Sequence, residues 1–374
     1  MLVLGAGFGG LELATVLSDE FGDDLDLTLI DSSDNFVFGY SKLDVMFGHA
    51  APDSVRMFYR DIAKPGVRFV QQTITAVDPV ARRVTTDSDT YDADILVIAL
   101  GADYDLDATP GLAELGAEFY SVEGAERMAA RVDAISGGRA VIGVCGTPFK
   151  CPPAPSETAL MLHDHLTRRG IRADCDITLL FPLGAPVPPS PDTSRALVSA
   201  FKERGIAFLP GRVITSLDAD RKVANVAGGE EVPFDVFLGV PKHRVPPALA
   251  GIGLAGDGFI PVNPQTMATQ FPNVYAIGDV ASVGVPKAGM FAEDQGRVAA
   301  AGISAAIRGS GDAPGYDGRA SCYIEFGHGL VGRVDVDFFS GPSPSGTFAE
   351  PSAALADEKR RFGATRRARW FGVS

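Results

Sequence analysis

Met1-Leu2-Val3-Leu4-Gly5-Ala6-Gly7-Phe8-Gly9-Gly10 is the stretch whose reading decides the fold. Met1 to Leu4 reads as a short buried strand, the next six residues carry the pattern G-x-G-x-x-G, and Leu11 to Phe21 reads as a helix with Leu13, Val16 and Leu17 on its apolar face. A second strand, Leu25 to Ile30, ends at Asp31, about 20 residues beyond the last glycine. Strand, turn, helix and strand within about 30 residues is the context in which such a turn holds a dinucleotide. Gly5 permits the tight turn, Gly7 lets the backbone approach a pyrophosphate, and Gly10 lets helix and strand pack closely. Phe8 and Gly9 lie between them at the helix N-terminus, whose positive end faces the phosphates. Asp31 is placed to accept hydrogen bonds from an adenosine ribose.

Working outward, the apolar strand Ile95 to Leu100 closes on Gly101-Ala102. From about Gly137 the alternation restarts, with strands at Ala140 to Val144, Ile177 to Phe181 and Val236 to Val240 and helices at Thr158 to Arg168 and Thr193 to Glu203. Asn273 to Asp279 reads as a strand running into a turn, with a helix from about Ala288. The expected architecture is α/β with two Rossmann-like dinucleotide-binding domains and a small C-terminal region. The first domain is discontinuous, over 1–118 and 242–310, with the second inserted at 119–241; the C-terminal region covers 311–374. Val334, Val336 and Phe338 alternate with Arg333, Asp335 and Asp337 as in a half-buried strand. A Pro, Ser and Gly-rich loop, Gly341 to Gly346, then leads to a short basic and aromatic end, Arg366 to Phe371.

Composition narrows the function classes. The chain has 374 residues, 46% hydrophobic and 21% charged, and a net charge of -14. That charge repels a phosphate backbone, so no nucleic-acid partner is expected. No segment has the length and apolarity of a transmembrane helix. No leader precedes the first motif, but the numbering opens four residues before Gly5, so a missing leader stays open; the reading is cytoplasmic, with a peripheral membrane contact and a homodimer both left open. Four cysteines, Cys145, Cys151, Cys175 and Cys322, are too few for a secreted disulfide scaffold, and with five scattered histidines and no paired Cys-x-x-Cys no metal site is expected.

Two further segments choose the dinucleotide. Ala93 to Ala102, containing Ala99 and Gly101, and Val274 to Asp279, ending on Gly278-Asp279, resemble the second and third FAD motifs of the pyridine nucleotide-disulfide oxidoreductase superfamily. The resemblance implies FAD as cofactor, with Asp279 bonding its ribitol or phosphate and the helix from about Ala288 directing its N-terminus at the flavin. Lys287 has two readings, a cation beside an anionic flavin or an exposed loop lysine.

The second fold lacks its own glycine turn. After the strand Ala140 to Val144 stand Cys145-Gly146-Thr147-Pro148-Phe149-Lys150-Cys151-Pro152-Pro153, in which three prolines and two bulky residues replace the required glycines. Hydride delivery from NAD(P)H is therefore disfavoured. Pro148 to Glu157 resembles the cysteine segment of the sulfide:quinone oxidoreductases and of the flavoprotein subunit of flavocytochrome c sulfide dehydrogenase, and Ser321-Cys322-Tyr323-Ile324-Glu325-Phe326-Gly327 matches the place of the family's second redox cysteine. The chain departs from the family in having no cysteine before Cys145 and in a tail, after Pro351, too short for the long C-terminal helices of family members.

What the resemblance implies is oxidation of sulfide to sulfane sulfur or polysulfide at a Cys151–Cys322 disulfide, electrons passing through FAD to a quinone or a cytochrome c. Cys151, just before a helix start, is expected to have a lowered pKa; Cys145 and Cys175 are expected to be inert. Glu157 and Glu325 are candidates to move the substrate proton, although Glu157 in a first helical turn also complements the helix dipole. A quinone channel is expected near Phe338 and Trp370. The basic tail rests either on an anionic membrane or on the protein itself. Two other functions compete: an NAD(P)H-dependent reductase like the type II NADH dehydrogenases, and a non-catalytic flavin-binding redox sensor.

Overall fold

A computed structural model describes residues 1–311 and 313–372; Asp312, Val373 and Ser374, which fall in the expected C-terminal region, lie outside the described residues. The first sheet is wholly parallel, in the spatial order Val274–Ala276, Leu96–Ile98, Leu2–Leu4, Leu27–Asp31, Val67–Gln71. Its central strand is buried on both faces, and Leu4 lies opposite Ile30 on one side and Ile98 on the other. That register brings the ends of three strands, and the loops that follow them, to one edge.

The second sheet repeats the plan, with Ile206–Pro210, Cys175–Phe181, Gly138–Val144 and Val236–Val240 all parallel. The chain passes between the two units at Asp103–Asp105 and Lys242–Arg244, which pair antiparallel with each other. An antiparallel sheet of Arg319–Gly327, Leu330–Asp337 and Ser345–Ser352 follows. The α/β fold with two Rossmann-like units is thus the one read from the sequence.

Helix boundaries moved outward for identifiable reasons. The fingerprint helix, Phe8–Phe21, starts before Leu11 because Gly9 and Gly10 form its first turn. The helix after Cys151 is Ala154–Arg168 rather than starting at Thr158, since Pro153 and Pro155 sit where a helix leaves its N–H groups unpaired and proline costs little.

The tail corrects the sequence reading. Ala353–Phe371 is a helix of 19 residues, capped by Ser352, whose Oγ accepts from the Leu355 N–H at 3.2 Å. It was not foreseen because its middle, Asp357 to Arg361, is a run of charge with no helical apolar period. The helix packs along the strand Leu330–Asp337, pairs with it and its neighbour through Glu358 and Lys359, and is anchored at its last turn. Trp370 is 1% exposed, meets the rings of Phe8 and Phe36 edge-on at 5.6 and 5.5 Å, and donates its indole N–H to Glu12 at 2.7 Å. Arg369 pairs with Glu12 at 3.0 Å and Arg366 with Glu293 at 3.0 Å, so of the two docking modes expected for these residues the structure shows the one on the protein itself.

Candidate active site

Three glycines of the first turn serve packing. A Cβ on Gly10 would fall on the Gly5 carbonyl oxygen, and one on Gly5 on the carbonyl of Ala99. A Cβ on Gly9 would lie 3.0 Å from the Ala292 carbonyl, and one on Gly296 would lie 2.6 Å from the Gly9 carbonyl. The fingerprint helix and the helix Gly289–Arg308 therefore touch backbone to backbone. Gly7 is different: its added Cβ meets nothing within 4 Å, and Gly101, at φ 67°, is equally open.

The space they face is a cavity of 320 Å³. Gly7, Phe8, Gly9, Ala99 and Gly101 line it from the first motifs, and Gly278 and Asp279 from the third. Cys151, Glu157 and Cys322 line the same cavity. Gly5, Gly10, Asp31 and Lys287 do not. The first two close the turn behind it. Asp31, at the end of its strand, accepts from the N–H groups of Ala6 at 2.7 Å and Ser33 at 2.8 Å; burial raises its pKa against those two bonds. Lys287 is neither exposed nor free, for its Nζ donates to the Ala281 carbonyl at 2.7 Å and lies 3.6 Å from the centre of the Phe259 ring. Burial pushes it down to about 8, with Asp279 and Asp257 opposing.

Asp279 sits in a single 3-10 turn, Gly278–Val280, with Gly278 at φ 77° and its N–H donated to Gln295 at 2.7 Å. Among the described residues no group donates a hydrogen bond to the Asp279 carboxylate. Burial raises it, and Lys150, Lys287 and Lys42 oppose that rise. The helix Gly289–Arg308 starts at the cavity wall, so its positive end is directed there. An open glycine cradle, an unpartnered carboxylate and a helix N-terminus on one cavity are what FAD requires of its binding residues.

Cys151 and Cys322 come together because the helix Ala154–Arg168 packs on the strand Arg319–Gly327. Glu157 fastens the two elements, its Oε1 accepting the Glu325 N–H at 3.0 Å. All four cysteines are free thiols in this structure. One expectation for them is corrected: Cys151 is not acidified by the helix, for burial pushes its thiol well up, and Glu157 and Cys322 add to the rise, while the Ala154 N–H offsets only part. Cys322 is pushed up to about 12 by burial and by Glu157. The helix N-terminus loses because its effect is of order 1 kcal/mol and full desolvation of a thiolate is larger.

Glu157 is itself pushed up to about 7, by burial first, with Lys359 and the Glu325 N–H opposing. Lys359 donates to Glu325 at 2.5 Å and, although burial would lower it, Glu325, Glu157 and Asp44 hold it charged. Sequence reasoning missed Lys359, on the unforeseen C-terminal helix, and Lys42, which carries no motif. It misjudged Lys150 as mere bulk, whereas Lys150 lines the cavity, donates to the Ala102 carbonyl at 3.1 Å and lies 4.7 Å from the Tyr104 ring centre. Phe338 and Trp370 do not line the cavity; Tyr40, Tyr323 and Phe362 do.

The family model for pyridine nucleotide-disulphide oxidoreductases matches residues 1–301. The chain belongs to that family. It is an FAD-dependent oxidoreductase. Among relatives of this oxidoreductase, the mitochondrial sulfide:quinone oxidoreductase of Dictyostelium discoideum is 25% identical over 340 residues, covering 87% of this chain and 74% of that protein. The crystal structure of the sulfide:quinone oxidoreductase from Aquifex aeolicus superposes with a TM-score of 0.88 at 23% identity, over 99% of this chain and 91% of that one. A type II NADH:quinone oxidoreductase of Staphylococcus haemolyticus is 29% identical, but over only 36% of this chain and 34% of its own length.

Proposed function

We propose that this oxidoreductase takes electrons from sulfide at the Cys151–Cys322 pair and delivers them to a quinone. The observation that carries the reading is that two thiols so distant in sequence line the one cavity that the FAD motifs also line. The sulfide:quinone oxidoreductases, matched over most of the chain, support it. Bound FAD supplies the two-electron acceptor between the cysteines and the quinone.

The free thiols are the reduced form of the pair. In the oxidised form, hydrosulfide attacks one sulfur of the disulfide, its lone pair forming a new S–S bond while the old one breaks; a persulfide remains on one cysteine and a thiolate on the other. A second hydrosulfide attacks the outer persulfide sulfur and leaves as disulfane, freeing the second thiolate. Two electrons leave as the disulfide re-forms, so two hydrosulfide ions yield one disulfane and two electrons. Because burial disfavours both thiolates, a nearby base must take up protons, and Glu157, titrating near neutrality between the two elements that carry the thiols, is placed to do so. Lys359 holds positive charge beside it.

Tyr40, Tyr323 and Phe362 provide the apolar wall that a quinone ring needs. No helix among the described residues is long and apolar enough to cross a membrane, so access to a lipid-borne quinone would be peripheral. An NADH reading is opposed by Phe149, buried against Phe181 at 5.9 Å in the turn where a pyrophosphate would have to approach. Steady-state turnover decides: quinone reduction with sulfide and none with NADH is expected, and cytochrome c in place of the quinone tests the other acceptor. Rapid turnover with NADH and none with sulfide would overturn the proposal.

A further inference from the structure

Away from the cavity, near the C-terminal end of the helix Ala154–Arg168, the tight turn between Arg319–Gly327 and Leu330–Asp337 closes on Asp164. The His328 backbone N–H donates to Asp164 Oδ2, and Gly327, at φ 80°, is needed there, since its Cβ would lie 2.9 Å from Asp164 Oδ1. His328 holds the left-handed conformation at φ 53°, a strained backbone for a residue with a side chain. One carboxylate oxygen is thus fixed by backbone. The other, Oδ1, is buried with no hydrogen-bond partner on a residue only 8% exposed, and His163 Nδ1 is buried and unpartnered beside it. Asp164 Oδ1 lies 3.4 Å from His328 Nε2 and 3.7 Å from His163 Nδ1, and the three donor atoms fall within 4.8 Å of one another.

We propose that His163, Asp164 and His328 bind a divalent metal ion of the zinc class. Two imidazoles and a carboxylate are a common zinc donor set, and tetrahedral bonds of about 2.0 Å place donor atoms roughly 3.3 Å apart, close to the two separations from Asp164 Oδ1 and compatible with the 4.8 Å bound on the third. The hold of the His328 N–H on Oδ2 orients the carboxylate as outer partners of metal ligands do. His328 is the exposed ligand and leaves the site open to entry from solvent. Arg172 and Arg204, whose charges act on His163, oppose a cation; Asp164 supplies the compensating charge, and the Arg204 guanidinium is engaged with the Phe326 carbonyl at 3.2 Å. The ion would join the helix that follows Cys151 to the strand that carries Cys322, and so act as a clasp between the two halves of the thiol site.

The test is equilibrium dialysis of the FAD-loaded full chain against zinc chloride, with thermal unfolding in parallel, for the wild type, His328→Ala and His163→Ala. The wild type should bind one equivalent more than either variant, and zinc should raise its unfolding temperature by several degrees while leaving the variants unmoved. Equal binding by all three, which would put the ion on the thiols, or no binding by the wild type, would overturn the site. His328 is exposed, so its variant should unfold at the wild-type temperature without metal and remain informative if His163→Ala does not fold.

Discussion

At the residue scale, two glycines three positions apart in one turn should fail in opposite ways. Gly10→Ala drives a methyl into the Gly5 carbonyl and should destabilise the fold by about 1–3 kcal/mol, read as a lowered unfolding midpoint. Gly7→Leu points into open space, so the apoprotein should keep its midpoint while losing FAD, read from flavin absorbance after gel filtration. Wild-type flavin content in Gly7→Leu would mean that the turn faces something else. Glu157 gives a pH signature. Its folded value near 7 lies above the ordinary carboxylate value, so the stability it confers is present below pH 4.5 and is lost as pH rises through 7. As a proton acceptor it works only when ionised, so sulfide-dependent turnover should rise with pH through about 7. Glu157→Gln should lower the rate and remove that rise; an unchanged profile would assign the titration elsewhere.

At the element scale, the last turn of the C-terminal helix carries its most deeply buried anchor, Trp370. Trp370→Ala removes a buried ring from the Phe8–Phe36 cluster together with the bond to Glu12, and should cost about 3–5 kcal/mol. Because Phe8 also lines the cavity, FAD retention should fall with it. Burial would raise Glu12, but hydrogen bonds from Arg369 and Trp370 and the charge of Arg297 hold it below the ordinary value. Its contribution is therefore present above about pH 4.5 and lost as pH falls through the lowered folded value. Limited proteolysis should release the helix on acidification before the sheets unfold; simultaneous loss would show that the latch is not separable. What was legible in the sequence follows the same division. Strands buried on both faces, such as Val236–Val240, and turns whose backbone demands glycine carry their structure in local residue choice. The C-terminal helix carries little, since its partners, Glu12 and Glu293, lie some 70 to 350 residues away. Lys359 stayed hidden with it, and the direction of the Cys151 pKa shift differs from the one expected because burial is a tertiary property that a helix start does not announce.

At the scale of the molecule, one Rossmann-like unit carries a glycine turn and the other a cysteine loop at the corresponding strand end, and the last sheet brings the second thiol to that loop. The central claim is that the pair so assembled is the entry point for electrons from sulfide. Cys145 offers an internal control: it is buried, pushed up to about 12 by desolvation, and lies outside the cavity. The most direct measurement is anaerobic stopped-flow mixing of FAD-loaded protein with sulfide, following loss of the visible flavin band, for the wild type and for Cys151→Ser, Cys322→Ser and Cys145→Ser at equal flavin content. The wild type and Cys145→Ser should bleach at similar rates, and both other variants should slow by roughly a hundredfold or more while retaining FAD. Bleaching of Cys322→Ser at the wild-type rate, or of the wild type by NADH and not by sulfide, would contradict the account.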